Sequence, residues 1–172
     1  MERREKLEGV DPRLRLFGGL FLLTTRLETM GNGPDYLGEL TTKQWFLMLN
    51  LLQFFDRPPS IGELAGQMGT SHQNVKAIAV NLEKKGFVRL TRDEKDARVL
   101  RVCPDEKCGT YFQGRAAEDQ AFVWMLTDVL TPEEIETLDH CLFRLADQAN
   151  RMSPAMIEQW VQADEQREEN NG

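Results

Sequence analysis

The sequence predicts a mainly α fold with one small β-wing, and three observations carry that expectation. Helix-start signals recur along the whole chain, two stretches near its middle alternate in strand fashion, and charge is unevenly shared. The formal charge is zero over residues 1–59, +3 over 60–103 and −10 over 104–172, for a net −7. A basic middle beside an acidic tail suits one face that meets a polyanion and a remainder that stays in solution. With 172 residues and 41% hydrophobic content, the chain can form one real core with an appended arm.

Composition also excludes several classes. No run of eighteen uncharged apolar residues occurs, so no membrane span is expected. Met1 to Lys6 is charged with no apolar segment behind it, which argues against secretion. Three cysteines, Cys103, Cys108 and Cys141, are too few and too odd for a disulfide scaffold and point to a reducing, cytoplasmic setting.

Asp11-Pro12 opens the first helix, a cap followed by proline at the first helical position. Leu14, Leu16, Phe17, Leu20, Phe21, Leu23 and Leu27 spread its apolar surface over more than one stripe, more than one neighbour covers. Gly18-Gly19 permits close backbone approach, and Gly31-Asn32-Gly33-Pro34 ends the helix. Thr41 or Thr42 caps a second helix, apolar nearly all round from Trp45 to Phe55, and Asp56-Arg57-Pro58-Pro59 stops it.

Ser60-Ile61-Gly62-Glu63 is a capping box opening a short helix to about Met68. Gly69 breaks it, Thr70-Ser71 caps a fourth helix running to Lys85, and Gly86 takes the C′ position. Phe87 to Thr91 and Arg98 to Val102 alternate about the polar turn Arg92–Asp96, an antiparallel hairpin. Asp105 caps a long helix to about Leu130, Thr131-Pro132-Glu133-Glu134 starts the next, and Ser153-Pro154 starts the last. From Glu165 the tail is polar and expected to fray.

Residues 60–103 thus read as helix, turn, helix and hairpin: a winged helix-turn-helix. At 100° per residue Val75, Ile78, Ala79 and Leu82 share the core face of the fourth helix. Gln73, Ala77, Val80 and Lys84 point away, flanked by Asn74 and Lys76. An outward valine among polar residues suits a major groove, where small apolar groups touch thymine methyls and amides read base edges. Ser71, His72 and Gln73 sit in the first turn, where a helix start favours phosphate. Gln73 and Asn74 have the amides for adenine, while Lys76, Lys84 and Lys85 suit backbone contacts. Arg92, Lys95 and Arg98 are the wing's candidates for the minor groove or its phosphates, although Asp96 offers Arg98 a structural partner instead.

From Leu40 to about Leu145 the chain resembles the MarR family of winged helix-turn-helix regulators. The carrying residues are Leu40–Trp45, Ile61–Ala65, Ser71–Val75, Leu82–Val88, the Asp96-Ala97-Arg98 triplet that matches the family's Asp-x-Arg wing signature, and Thr131–Glu134. Cys103-Pro104-Asp105 departs from the family's usual Leu-Thr but still supplies a cap, and the acidic final helix extends past the usual end. The resemblance implies a homodimer joined through first and last helices on a pseudo-palindromic double-stranded DNA operator. It implies a repressor released by a small anionic or phenolic effector, for which Arg13, Phe17 and Trp45 are candidate pocket residues. The expected division is a dimerisation helix and linker over 1–40, a DNA-binding lobe over 41–104, and dimerisation helices with an acidic tail over 105–172.

Two other readings compete. A protein-interaction module would instead hold a protein partner through an exposed Ala77 and Val80. Cys103 with Cys108 in the first turn of a helix would suit a thiol-based redox sensor, because that location lowers a thiol pKa. His72 and His140 are too far apart in sequence to suggest zinc, and no cofactor is expected. Neither a nucleophile with an evident base nor a phosphate-binding glycine loop is present, so no enzyme is expected.

Overall fold

In a computed structural model of the protein the described residues are 7–33 and 36–171, the last eight as backbone. The charged run Met1–Lys6 and Pro34 lie outside the described residues. Helix α1 (Pro12–Gly31) is capped by Asp11, whose Oδ1 accepts the Arg13 N–H at 2.7 Å. It ends where Gly31 lies against Thr42 Oγ1, so closely that a Cβ would collide. Thr41 caps α2 (Thr42–Gln53) in a reciprocal box with Gln44, and Ser60 caps α3 (Ile61–Gln67) in another with Glu63. Ser71 caps α4 (His72–Lys84), and Gly86, at φ +77°, turns the chain into β1 (Val88–Arg92). β2 (Leu100–Pro104) pairs antiparallel with β1, Leu90 opposite Val102. Then come α5 (Glu106–Thr127), α6 (Pro132–Arg151) and α7 (Pro154–Asn171).

The helix starts fall where the sequence puts them because each is set by residues no more than three apart. The tail differs: α7 runs through Glu165 to Asn171 instead of fraying. Its Gln, Glu and Arg residues are good helix formers, so polarity alone does not end it. Among the described residues, no helix is long and apolar enough to cross a membrane.

Two compact units divide the chain, 1–111 and 112–172. The first holds the core. Leu47, Met48, Leu64, Val75, Ala79, Leu82, Phe87, Val88 and Val102 are all buried, drawn from α2, α3, α4 and the hairpin. The buried amide of Asn50 donates to Phe46 O at 2.8 Å, so the one deep polar group on α2 beside Gln44 is satisfied. The second unit is a set of helices without such a core: α6 has no buried residue. Along α1, nothing lies within 4 Å of where a Cβ would stand at Gly18 or Gly19, and Leu14, Phe17 and Phe21 are exposed.

Candidate nucleic-acid interface

The core face of α4 is built from Val75, Ile78, Ala79 and Leu82, all buried, so the opposite face is turned outward by helix geometry. Ser71, His72, Gln73, Asn74, Lys76, Ala77 and Lys84 are exposed on it. Val80 is half-buried, so it offers less apolar surface than the outward valine expected, whether to a groove or to a protein partner. Ser71 Oγ accepts the Asn74 N–H at 3.2 Å, and Asn74 Nδ2 donates to Thr70 Oγ1 at 2.9 Å. The start of α4 is therefore held in place before any partner arrives. The other end is fixed by Glu83, whose Oε1 accepts the Leu90 N–H at 2.8 Å and ties the helix to β1.

Lys85 is a correction to the expected row of backbone contacts. Its Nζ donates to Glu39 O and, at 2.9 Å, to Gln44 Oε1, binding the end of α4 to the start of α2. Lys107 continues that clasp, with Nζ 2.7 Å from Glu39 Oε1, 3.0 Å from Lys85 O and 4.2 Å above the Phe87 ring. Neither contact is visible in the sequence, since the partners of Lys85 lie more than forty residues away.

The wing presents Arg92, Lys95 and Arg98, all exposed. Arg98 is 95% exposed at its side chain and lies 3.6 Å from Asp96, whose Oδ1 also accepts the Arg98 N–H at 2.9 Å. Asp96 thus shapes the backbone of the wing while leaving the guanidinium in solvent. Arg92 Nη1 donates to Ala97 O at 2.8 Å and braces the loop. Sequence reasoning missed the least exposed ion pair of the region: Asp93 receives Arg101 Nε, together with the N–H groups of Lys95 and Asp96 at 2.9 and 3.1 Å. Those donors, Arg101 foremost, hold the Asp93 carboxyl down to about 2. A cleft of about 740 Å³ lies beside the pair, lined by residues that include Arg57, Thr91, Lys95 and Cys103.

The structure speaks against the competing thiol-sensor reading at Cys108. Cys108 is fully buried, and burial pushes its thiol up to about 11, the reverse of what the start of a helix would do to an exposed thiol. Cys103 is half-buried with Sγ 3.5 Å from Thr91 Oγ1. Arg13 and Phe17 stand exposed near the start of α1, where Phe17 packs edge-on against Phe21 at 4.9 Å. Trp45 is half-buried on α2, and its Nε1 is buried with no acceptor among the described residues. The clefts at the wing, at the α5–α6 turn and at the α6–α7 turn are lined by other residues.

Residues 40–99 match the family model described as the MarR family. Of the curated proteins compared with the chain, none matches. Solved structures do resemble it. AbsC, a MarR family transcriptional regulator from Streptomyces coelicolor, is 20% identical with a TM-score of 0.69, over 83% of this chain and 98% of that one. MepR from S. aureus, solved as a DNA complex, is 15% identical with a TM-score of 0.67, over 77% and 97%. An organohalide-sensing transcriptional regulator bound to 2,4-dichlorophenol is 18% identical with a TM-score of 0.70, over 84% and 85%. At these identities the likeness is one of fold. Taken with the matched segment, it gives the lobe over 40–99 a winged helix-turn-helix fold, similar in that segment to the MarR family.

Proposed function

We propose that the protein is a sequence-specific, homodimeric repressor that acts in the cytoplasm on a pseudo-palindromic operator and is released by a small anionic or phenolic effector. The outward face of α4, with Gln73, Lys76, Ala77 and Lys84 exposed beside a solvent-borne Arg98, is the observation that carries the DNA reading. Gln73 and Asn74 read base edges, with Ala77 and Val80 against thymine methyls. Ser71 and His72 at the helix start, with Lys76 and Lys84, hold phosphates. Arg92, Lys95 and Arg98 place the wing on the neighbouring minor groove or its backbone.

The dimer reading is supported by α6, where Ile135, Leu138, Leu142 and Leu145 form one apolar stripe and all remain 40–42% exposed. A stripe of that size left in water costs more than a small domain tolerates, since each buried leucine contributes about 1.5–3 kcal/mol. Pairing two copies puts recognition helices on half-sites about one helical turn apart, roughly 34–36 Å. The effector reading draws support from the dichlorophenol-bound neighbour and from the orphaned Trp45 Nε1, and it assigns Arg13 and Phe17 to the effector as well. An effector acts only through its different affinity for dimer states that do and do not match the duplex.

Duplexes selected from a random pool test the roles. Gln73→Ala is expected to relax base preference at one position of each half-site, whereas Lys84→Ala weakens all sequences alike and lowers the salt slope by about 1. Equal losses on selected and random duplexes in both variants would refute the assignment.

A further inference from the structure

We infer that Arg101 and Asp93 are positioning residues for DNA: they fix how the wing leaves the helix-turn-helix and touch no nucleic acid themselves. The consequence for binding rests on the reading above; the geometry stands without it. Asp93 is the first residue after β1, and its N–H closes the loop on Val99 O at 3.0 Å. One carboxylate oxygen gathers the Lys95 and Asp96 N–H groups and so folds the turn that presents Lys95. The other oxygen takes Arg101 Nε.

Arg101 then reaches away from the wing. Its Nη1 donates to Pro58 O at 2.8 Å and stands 3.5 Å from Glu63 Oε2. That same Glu63 oxygen accepts the Ser60 N–H at 2.7 Å in the cap of α3, and Oε1 is paired with Arg57 at 2.6 Å. One chain of charge-assisted bonds therefore runs from the wing turn to the first helix of the reading unit. The backbone reinforces it through a bridge between Ser60 and Arg101 and a 2.9 Å bond from Val102 N–H to Pro59 O.

Exposure separates this arginine from the one beside it. Arg101 is 26% exposed and its Asp93 partner 15%, against 95% for Arg98. A guanidinium committed to two carboxylates and a carbonyl has its fork occupied, whereas Arg98 has one exposed ion pair, with Asp96 at 3.6 Å. Ionisation of Asp93 is secure at neutral pH because its carboxyl is held so low. Arg101 also neutralises two carboxylates, those of Asp93 and Glu63, that would otherwise face an approaching phosphate.

Arg101→Lys is the discriminating variant, since lysine keeps the charge but cannot bond in several fixed directions. Its expected affinity for the selected duplex is about tenfold or more below the native protein's, with the slope of log K on log salt unchanged. Lys95→Ala serves as the contrast and should lower that slope by about 1. Amide exchange provides a readout without DNA: in Arg101→Lys and Arg101→Met the Lys95 and Asp96 amides lose protection while the Val102 amide keeps it. Native affinity in Arg101→Lys together with a reduced slope in Arg101→Met would make Arg101 a phosphate contact and overturn the inference. Unchanged exchange at Lys95 and Asp96 would overturn it as well. Should the native protein bind no duplex, the functional reading fails while the exchange experiment still decides the strut.

Discussion

Leu82 on α4 and Leu142 on α6 each lie on the apolar side of a helix, yet Leu82 is fully buried and Leu142 is 40% exposed. The difference repeats across their surroundings. Around Leu82 the lobe closes its core with its own helices and hairpin, whereas α6 carries no buried residue at all. Near the end of α5, Trp124, Met125 and Val129 are barer still, and a cleft of about 470 Å³ opens at the α5–α6 turn. A reading head that must hold side chains within a fraction of an ångström gains from a core complete in one chain. On the dimer reading proposed above, helices that join two copies would not need such closure, because a second copy would cover their apolar faces.

The largest expected effect comes from attacking the open faces. Leu138→Asp with Leu142→Asp should weaken self-association by more than about a hundredfold, read by sedimentation equilibrium, and abolish binding to a two-half-site duplex. The lobe's melting should move little. An unchanged dimer would mean that α6 faces water in the functional molecule.

Attacking the closed core should have the opposite signature. Leu82→Ala is expected to cost about 2–5 kcal/mol in denaturant unfolding of the lobe, because a fully buried leucine leaves a cavity. Affinity for duplex should fall only through the unfolded fraction, leaving base preference intact.

Acid sharpens the comparison further. Asp93, held down to about 2 against an ordinary value of 3.8, contributes stability that is complete above about pH 4 and is lost as pH falls through 2. Protection of the Lys95 and Asp96 amides, taken relative to their intrinsic exchange rates at each pH, should therefore fall in that window, with Asp93→Asn removing the dependence. A flat profile in the native protein would contradict the role given to the carboxylate.

How legible each part was follows the range of the forces that set it. Caps at Asp11, Thr41, Ser60 and Thr131 depend on partners three residues away or fewer, and all were readable. The core face of α4 was readable too, because Val75, Ile78, Ala79 and Leu82 recur at helical spacing. Arg101 reads as one more basic residue of the middle segment until Pro58 and Glu63, some forty residues earlier, are brought beside it. Lys85 was misplaced for the same reason, its partners lying on the linker before α2 and on α2 itself. Whether Cys108 is reactive or inert was not legible, because helix position says where a thiol sits along the axis and nothing about which way the helix turns it.

Titration of the intact protein with its selected duplex across a range of salt concentrations tests the central claim most directly. Twin winged lobes gripping phosphates predict a steep linear fall of log K with log salt, and a complex holding two chains per duplex. Binding insensitive to salt, or saturation at one chain per duplex, would contradict it.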